Sequence, residues 1–142
     1  MSTILIVEDD PIHRGNAEAF KMLFNLHSHS VILAHSPEDV LNACRWNDVD
    51  CVMVDQHIVG GGMGFSMRIY KGEDIIKSIR ASGLTNVPVI LMTGDREYDP
   101  REARKVGANH VWFKPIEDMI SKTEEVMREA RLRAASSKPT AP

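Results

Sequence analysis

Ile4-Leu5-Ile6-Val7-Glu8-Asp9-Asp10 runs four branched apolar residues straight into three carboxylates. The apolar part is continuous rather than alternating, the pattern of a strand buried on both faces of a sheet. A single charge closing such a strand is ordinary. Adjacent carboxylates packed there repel one another and are costly to ionise together. A divalent cation relieves that cost, and hard oxygen ligands favour Mg²⁺ or Ca²⁺ over zinc. Asp10-Pro11 fits equally well a helix N-cap followed by a first-turn proline. The acidic cluster by itself leaves both readings open.

Outward from this run, Ser30–Ala34, Cys51–Val54 and Val87–Met92 repeat the strand pattern, and Asn109–Phe113 repeats it more weakly. Helical patterns lie between them. Pro11–Leu26 carries Ile12, Phe20, Leu23 and Phe24, and Pro37–Trp46 follows the cap Ser36 with an acidic first turn. Glu73–Ala81 carries Ile75, Ile76 and Ile79, Pro100–Val106 stops at Gly107, and Ile116–Arg133 shows an apolar stripe at helical spacing. Strands alternating with helices predict a parallel sheet covered on both faces. Right-handed crossovers then favour an α/β, flavodoxin-like (βα)5 three-layer sandwich with strand order 2-1-3-4-5. Its site is expected beyond the carboxyl ends of the strands. Those ends carry Glu8-Asp9, Asp55, Thr93 and Lys114, whereas Ala34-His35 closes the second strand without evident chemistry.

The 142 residues suit one domain, expected over 1–133. Residues 134–142, Ala-Ala-Ser-Ser-Lys-Pro-Thr-Ala-Pro, cannot bury apolar surface and are expected to be a disordered tail. A net charge of −3 implies no large basic face, so no nucleic-acid ligand is expected. Cys44 and Cys51 form neither a metal motif nor a disulfide framework, and read as free thiols in a reducing cytoplasm. No run is long and apolar enough for a membrane span, and no signal-peptide pattern opens the chain.

An aspartate at the mouth of a parallel sheet, such as Asp55, can act as a carboxylate nucleophile and form an acyl phosphate. A hydroxyl at Thr93 can donate to a phosphoryl oxygen, with Gly94 leaving room, and Lys114 can bring a point charge. Taken singly, each reads as well as a strand-ending turn residue. Taken together, at successive strand ends, they resemble the receiver domain of bacterial two-component response regulators, the CheY-like superfamily. The matching pieces are Ile4 to Asp10, Val52-Met53-Val54-Asp55, Pro88 to Gly94, Gly107-Ala108 and Lys114-Pro115, and the resemblance runs from Ser2 to Arg133.

The resemblance implies roles for these residues. Asp55 is the phosphoacceptor, Thr93 the hydroxyl that senses the phosphoryl group, and Lys114 the lysine that binds it. Mg²⁺ is held by Glu8, Asp9, Asp55 and the backbone carbonyl of His57. Asp10 lies just beyond the metal-binding pair. His57 and Asp95 occupy positions that affect how fast the phosphate is lost. A sensor histidine kinase or phosphotransfer protein is the implied donor and a downstream protein the implied target, with the chain a monomer or weak homodimer.

Two stretches depart from the family pattern. The usual Met-Pro after the phosphoacceptor is missing, and Gln56 to Gly72 forms a glycine-containing segment longer by roughly nine residues if Gly72 opens the third helix. It is expected to be a mobile loop, either a tolerated insertion or a docking segment with Met63, Phe65, Met67 and Tyr70 exposed. Val111 stands where the family usually has a Tyr or Phe that swings between rotamers, so that coupling is absent or rerouted.

The expected function is a stand-alone phosphorylatable switch that signals by protein-protein interaction. It would not be an enzyme beyond its own phosphorylation and dephosphorylation. The alternative is a phosphorylation-independent scaffold acting through the long segment. An aspartate-nucleophile phosphatase on the same sheet would need a second acid beside Asp55, which Gln56-His57 does not supply.

Overall fold

The computed structural model describes residues 2–8, 17–60 and 68–136. Asp9, Asp10, Pro11 and Ile12, together with Met63, Phe65 and Met67, lie outside the described residues. The elements in chain order are β1 (Thr3–Val7), α1 (Ala17–Leu26), β2 (Ser30–Ala34), α2 (Pro37–Trp46), β3 (Cys51–Asp55) and β4 (His57–Gly60). They continue with β5 (Arg68–Lys71), α3 (Gly72–Ala81), β6 (Val89–Thr93), α4 (Pro100–Lys105), β7 (His110–Phe113) and α5 (Met119–Ser136).

Five strands form one parallel sheet in the order β2-β1-β3-β6-β7. Counting only these strands gives 2-1-3-4-5, the flavodoxin-like order that the alternating pattern predicts. Successive strand residues point to opposite faces. Leu5, Val7, Val52, Val54, Val89 and Leu91 pack with Val40 of α2, Ile75, Ile76 and Ile79 of α3 and Ala103 of α4. Ile4, Ile6, Met53, Ile90 and Met92 pack with Phe24 of α1 and Ile120, Val126 and Met127 of α5. Two helical layers thus cover a central sheet. Side chains as large as Ile4, Ile90 and Phe24 are fully buried, each contributing about 1.5–3 kcal/mol.

The helix starts follow local chemistry. The Ser36 hydroxyl accepts the Asp39 N–H at 3.2 Å, with Pro37 in the first turn of α2. Asp99 accepts the Arg101 N–H at 3.0 Å and caps α4. The far end of the sheet is fastened by Arg80. Its guanidinium donates to the carbonyls of Leu84 (2.9 Å), Val87 (2.7 Å) and Gly107 (2.7 and 3.0 Å) and to Asn109 Oδ1 (2.9 Å). Burial pulls this guanidinium below its ordinary pKa. Nothing in the spacing of the sequence points to this clasp.

Two expectations are corrected. Ala134 to Ser136 continue α5 rather than joining a disordered tail. Alanine has the highest helix propensity, and Ser136 Oγ donates to the carbonyls of Leu132 (3.0 Å) and Arg133 (3.1 Å) near the end. The segment expected as a mobile loop contains paired strands: β4 and β5 form an antiparallel hairpin, with His57 opposite Lys71 and Ile58 opposite Tyr70. Alternation explains it. Ile58 is fully buried and Tyr70, expected to be exposed, packs half-buried on the same core, while Ile69 faces outward at 68% exposure.

Candidate functional site

The ends of β1, β3, β6 and β7 bring Glu8, Asp55, Thr93 and Lys114 to one edge of the sheet. Lys114 Nζ lies 2.9 Å from Asp55 Oδ1 and 3.4 Å from Glu8 Oε1. These contacts join residues from three distant stretches of chain. Glu8 is almost completely buried, at 2% exposure. Burial pulls the Lys114 ammonium down, but the hydrogen bond and charge of Asp55, with Glu8 behind it, outweigh that and hold its pKa above the ordinary value. The Lys114-Pro115 peptide is cis, and the Lys114 N–H donates to the Thr93 carbonyl at 2.7 Å.

Thr93 is 1% exposed. Its hydroxyl donates to Gln56 Oε1 at 2.5 Å and accepts the Asp95 N–H at 3.0 Å. Asp95 turns its own carboxylate to the Glu97 N–H at 3.0 Å, so it serves the turn after β6. Gln56 is held by its backbone as well. Its N–H donates to the Met92 carbonyl at 2.9 Å and to Asp55 Oδ1 at 3.1 Å, and its carbonyl accepts the Gly72 N–H at 2.7 Å. Gly72 must be glycine for lack of space: a Cβ there would lie 2.4 Å from the Asp55 carbonyl oxygen and 2.7 Å from Leu91 Cδ1.

The His57 side chain is exposed. Because Gly72 donates to Gln56, the His57–Lys71 pair falls at the next, non-hydrogen-bonded position of the ladder. There the His57 carbonyl points away from β5, which leaves it for another partner. Asp9 lies outside the described residues, and among those described no group of three or more His, Cys, Asp or Glu forms a metal cluster. The donor set nevertheless fits a hard cation. Glu8 and Asp55 bring two carboxylates together around the Lys114 ammonium, and a set of oxygen donors is what such a cation prefers.

Sequence reading missed two residues here. One is Gln56, which seemed notable only for not being an acid. The other is His35, whose Nδ1 donates to the Glu8 carbonyl at 3.0 Å and thereby holds the backbone at the end of β1. Its place just past β2, at the carboxyl edge, was the available signal. At the family's aromatic position, Val111 packs half-buried on the α2–α3 side of the core. An aromatic reaches that face from elsewhere, since Tyr98, between β6 and α4, packs on the same cluster. Its hydroxyl is buried without a well-formed hydrogen bond. Burial and the nearby Glu73 carboxylate push the phenol up to about 12.

Residues 4–124 match the model of the response regulator receiver domain family. The chain belongs to that family. A curated relative is the sensory/regulatory protein RpfC of Xanthomonas campestris pv. campestris, 29% identical over 116 residues. The alignment covers 79% of this chain but 14% of RpfC, so the receiver corresponds to a small part of that protein. Among solved structures, a two-component response regulator from Clostridium difficile superposes with a TM-score of 0.72 at 23% identity, covering 90% of this chain and 97% of that one. A CheY-like receiver from Methanospirillum hungatei JF-1 gives 0.72 at 17% identity, covering 94% and 98%. The receiver domain of sensor histidine kinase PA1611 from Pseudomonas aeruginosa PAO1 gives 0.68 at 19% identity, covering 90% and 95%. That structure is described with a magnesium ion coordinated in its active-site cleft. This receiver has no described helix long and apolar enough to cross a membrane.

Proposed function

We propose that this receiver accepts a phosphoryl group on Asp55 from a sensor histidine kinase or phosphotransfer protein and passes the signal to another protein by contact. The observation that carries the reading is Lys114 Nζ set 2.9 Å from Asp55 Oδ1, with buried Glu8 behind it and Thr93 at the next strand end. Phosphoryl transfer asks little beyond in-line positioning and charge neutralisation. An Asp55 carboxylate oxygen attacks phosphorus as the bond to the donor breaks, and the leaving atom keeps that electron pair. Lys114 follows the developing charge onto a phosphoryl oxygen, and Thr93 then donates its hydroxyl to the group.

Glu8 and Asp55 would hold Mg²⁺, joined by Asp9 and the His57 carbonyl as the family resemblance implies. The ion, when bound, supplies charge neutralisation for the phosphoryl oxygens. The domain turns over no free substrate beyond its own labelling and hydrolysis, and it works in the cytoplasm. Incubation with Mg²⁺ and acetyl phosphate should add one phosphoryl mass to the wild type and none to Asp55→Asn. Equal labelling of the two proteins, or none of either, refutes the reading. The second outcome favours a scaffold acting through the β4–β5 hairpin.

A further inference from the structure

We propose that Gln56 is a latch: its side chain holds the Thr93 hydroxyl in the unphosphorylated protein and must release it before Thr93 can bind a phosphoryl group. The inference rests on the proposed phosphoryl chemistry at Asp55 and adds a residue that sets its threshold. A threonine hydroxyl has a single proton to donate. Here that proton goes to Gln56 Oε1 at 2.5 Å, while the oxygen accepts the Asp95 N–H at 3.0 Å. Thr93 is 1% exposed, so no bulk water stands ready to replace a lost partner. A phosphoryl oxygen on Asp55 therefore competes with Gln56 for one proton.

The latch is also wired to the insertion. Gln56 directly follows Asp55, and its carbonyl accepts the Gly72 N–H at 2.7 Å, where β5 passes into α3. β4 begins at the next residue, His57. A side chain released from Thr93 is thus rooted at the base of the β4–β5 hairpin. Phosphorylation then has a route to the hairpin that does not pass through position 111, where Val111 offers no swinging aromatic ring. Gln56 acts through Thr93 and is a positioning residue rather than a catalytic one.

The test compares beryllofluoride affinity, with Mg²⁺ present, by titration calorimetry in wild type, Gln56→Met, Thr93→Ala and the double variant. Methionine keeps the length of the side chain and removes the acceptor. Gln56→Met should bind the mimic about three- to tenfold more tightly than wild type, the range set by one intramolecular hydrogen bond. In the Thr93→Ala background the same substitution should change affinity by less than about twofold, because the latch has nothing to hold. Hydrogen exchange adds a readout without the mimic: the Asp95 amide should lose protection in Gln56→Met, while core amides of β1 and β3 show that the fold is kept. Wild type that takes no beryllofluoride overturns the proposed function and the latch with it. Wild type that binds, with Gln56→Met binding no tighter or with equal gains in both backgrounds, overturns the latch alone.

Discussion

Gly72→Ala separates the demand for space from the demand for flexibility. The methyl group would lie 2.4 Å from the Asp55 carbonyl oxygen, 2.7 Å from Leu91 Cδ1 and 3.2 Å from the Asp55 carbonyl carbon. Leu91 can yield a little, but the Asp55 backbone is fixed in the ladder to β6. Overpacking of this kind costs typically about 1–3 kcal/mol, and a backbone obstacle puts the cost near the top of that range. Alanine in place of glycine at a helix start returns up to about 1 kcal/mol. The net loss is then about 2 kcal/mol. In urea denaturation with a slope of about 1–3 kcal/mol per molar, the midpoint should fall by roughly 1 M. Gly94→Ala is the control, since a methyl group there would meet nothing within 4 Å and no left-handed φ is required. Its midpoint should match wild type. A Gly72→Ala protein as stable as Gly94→Ala would show that the wall at Asp55 moves freely, and the spatial argument would be lost.

Three further outcomes are expected. Arg80→Ala strips donors from the carbonyls of Leu84, Val87 and Gly107 and should cost about 2–4 kcal/mol in chemical denaturation; Arg80→Lys should recover less than half, because an ammonium cannot span those acceptors. Tyr98→Phe should match or exceed wild-type stability at pH 7, since the hydroxyl it removes makes no well-formed hydrogen bond. The folded protein holds the phenol proton up to about 12, against about 10 in the unfolded chain. The stability this confers is complete below pH 10 and drains away as pH rises toward 12, so the margin of Tyr98→Phe over wild type should widen there in thermal melts. Lys114→Met leaves Glu8 and Asp55 without their shared ammonium, so added Mg²⁺ should raise its Tm more than that of wild type; equal shifts would mean that lysine and metal do not share the carboxylates.

The sheet was legible because its strands are buried on both faces. Ile4 to Val7 and Val89 to Met92 are fully enclosed, so their runs are continuously apolar and the carboxyl-end residues stand out beside them. Asp55, Thr93 and Lys114 could be read for the same reason, each being a polar residue where an apolar run stops. The hairpin was obscured by composition. Glycines suggested slack, while Ile58 and Tyr70, spaced to share one face with the core, carried the contrary signal in only a few residues. Gln56 and Arg80 were invisible for another reason. Their side chains meet backbone carbonyls, the Asn109 amide oxygen and one distant hydroxyl, and a sequence does not show which of its many amides and guanidiniums will meet them.

The hairpin's base is closed at the very edge of the reaction centre, where the Gly72 N–H donates to the Gln56 carbonyl and His57 faces Lys71. A sequence exchanged between Gly60 and Arg68 would therefore hang from a clamped base that is itself joined to Gln56. That makes the insertion a natural port for grafting: a reporter or recognition peptide installed there would be mechanically connected to the chemistry while supplying none of its groups.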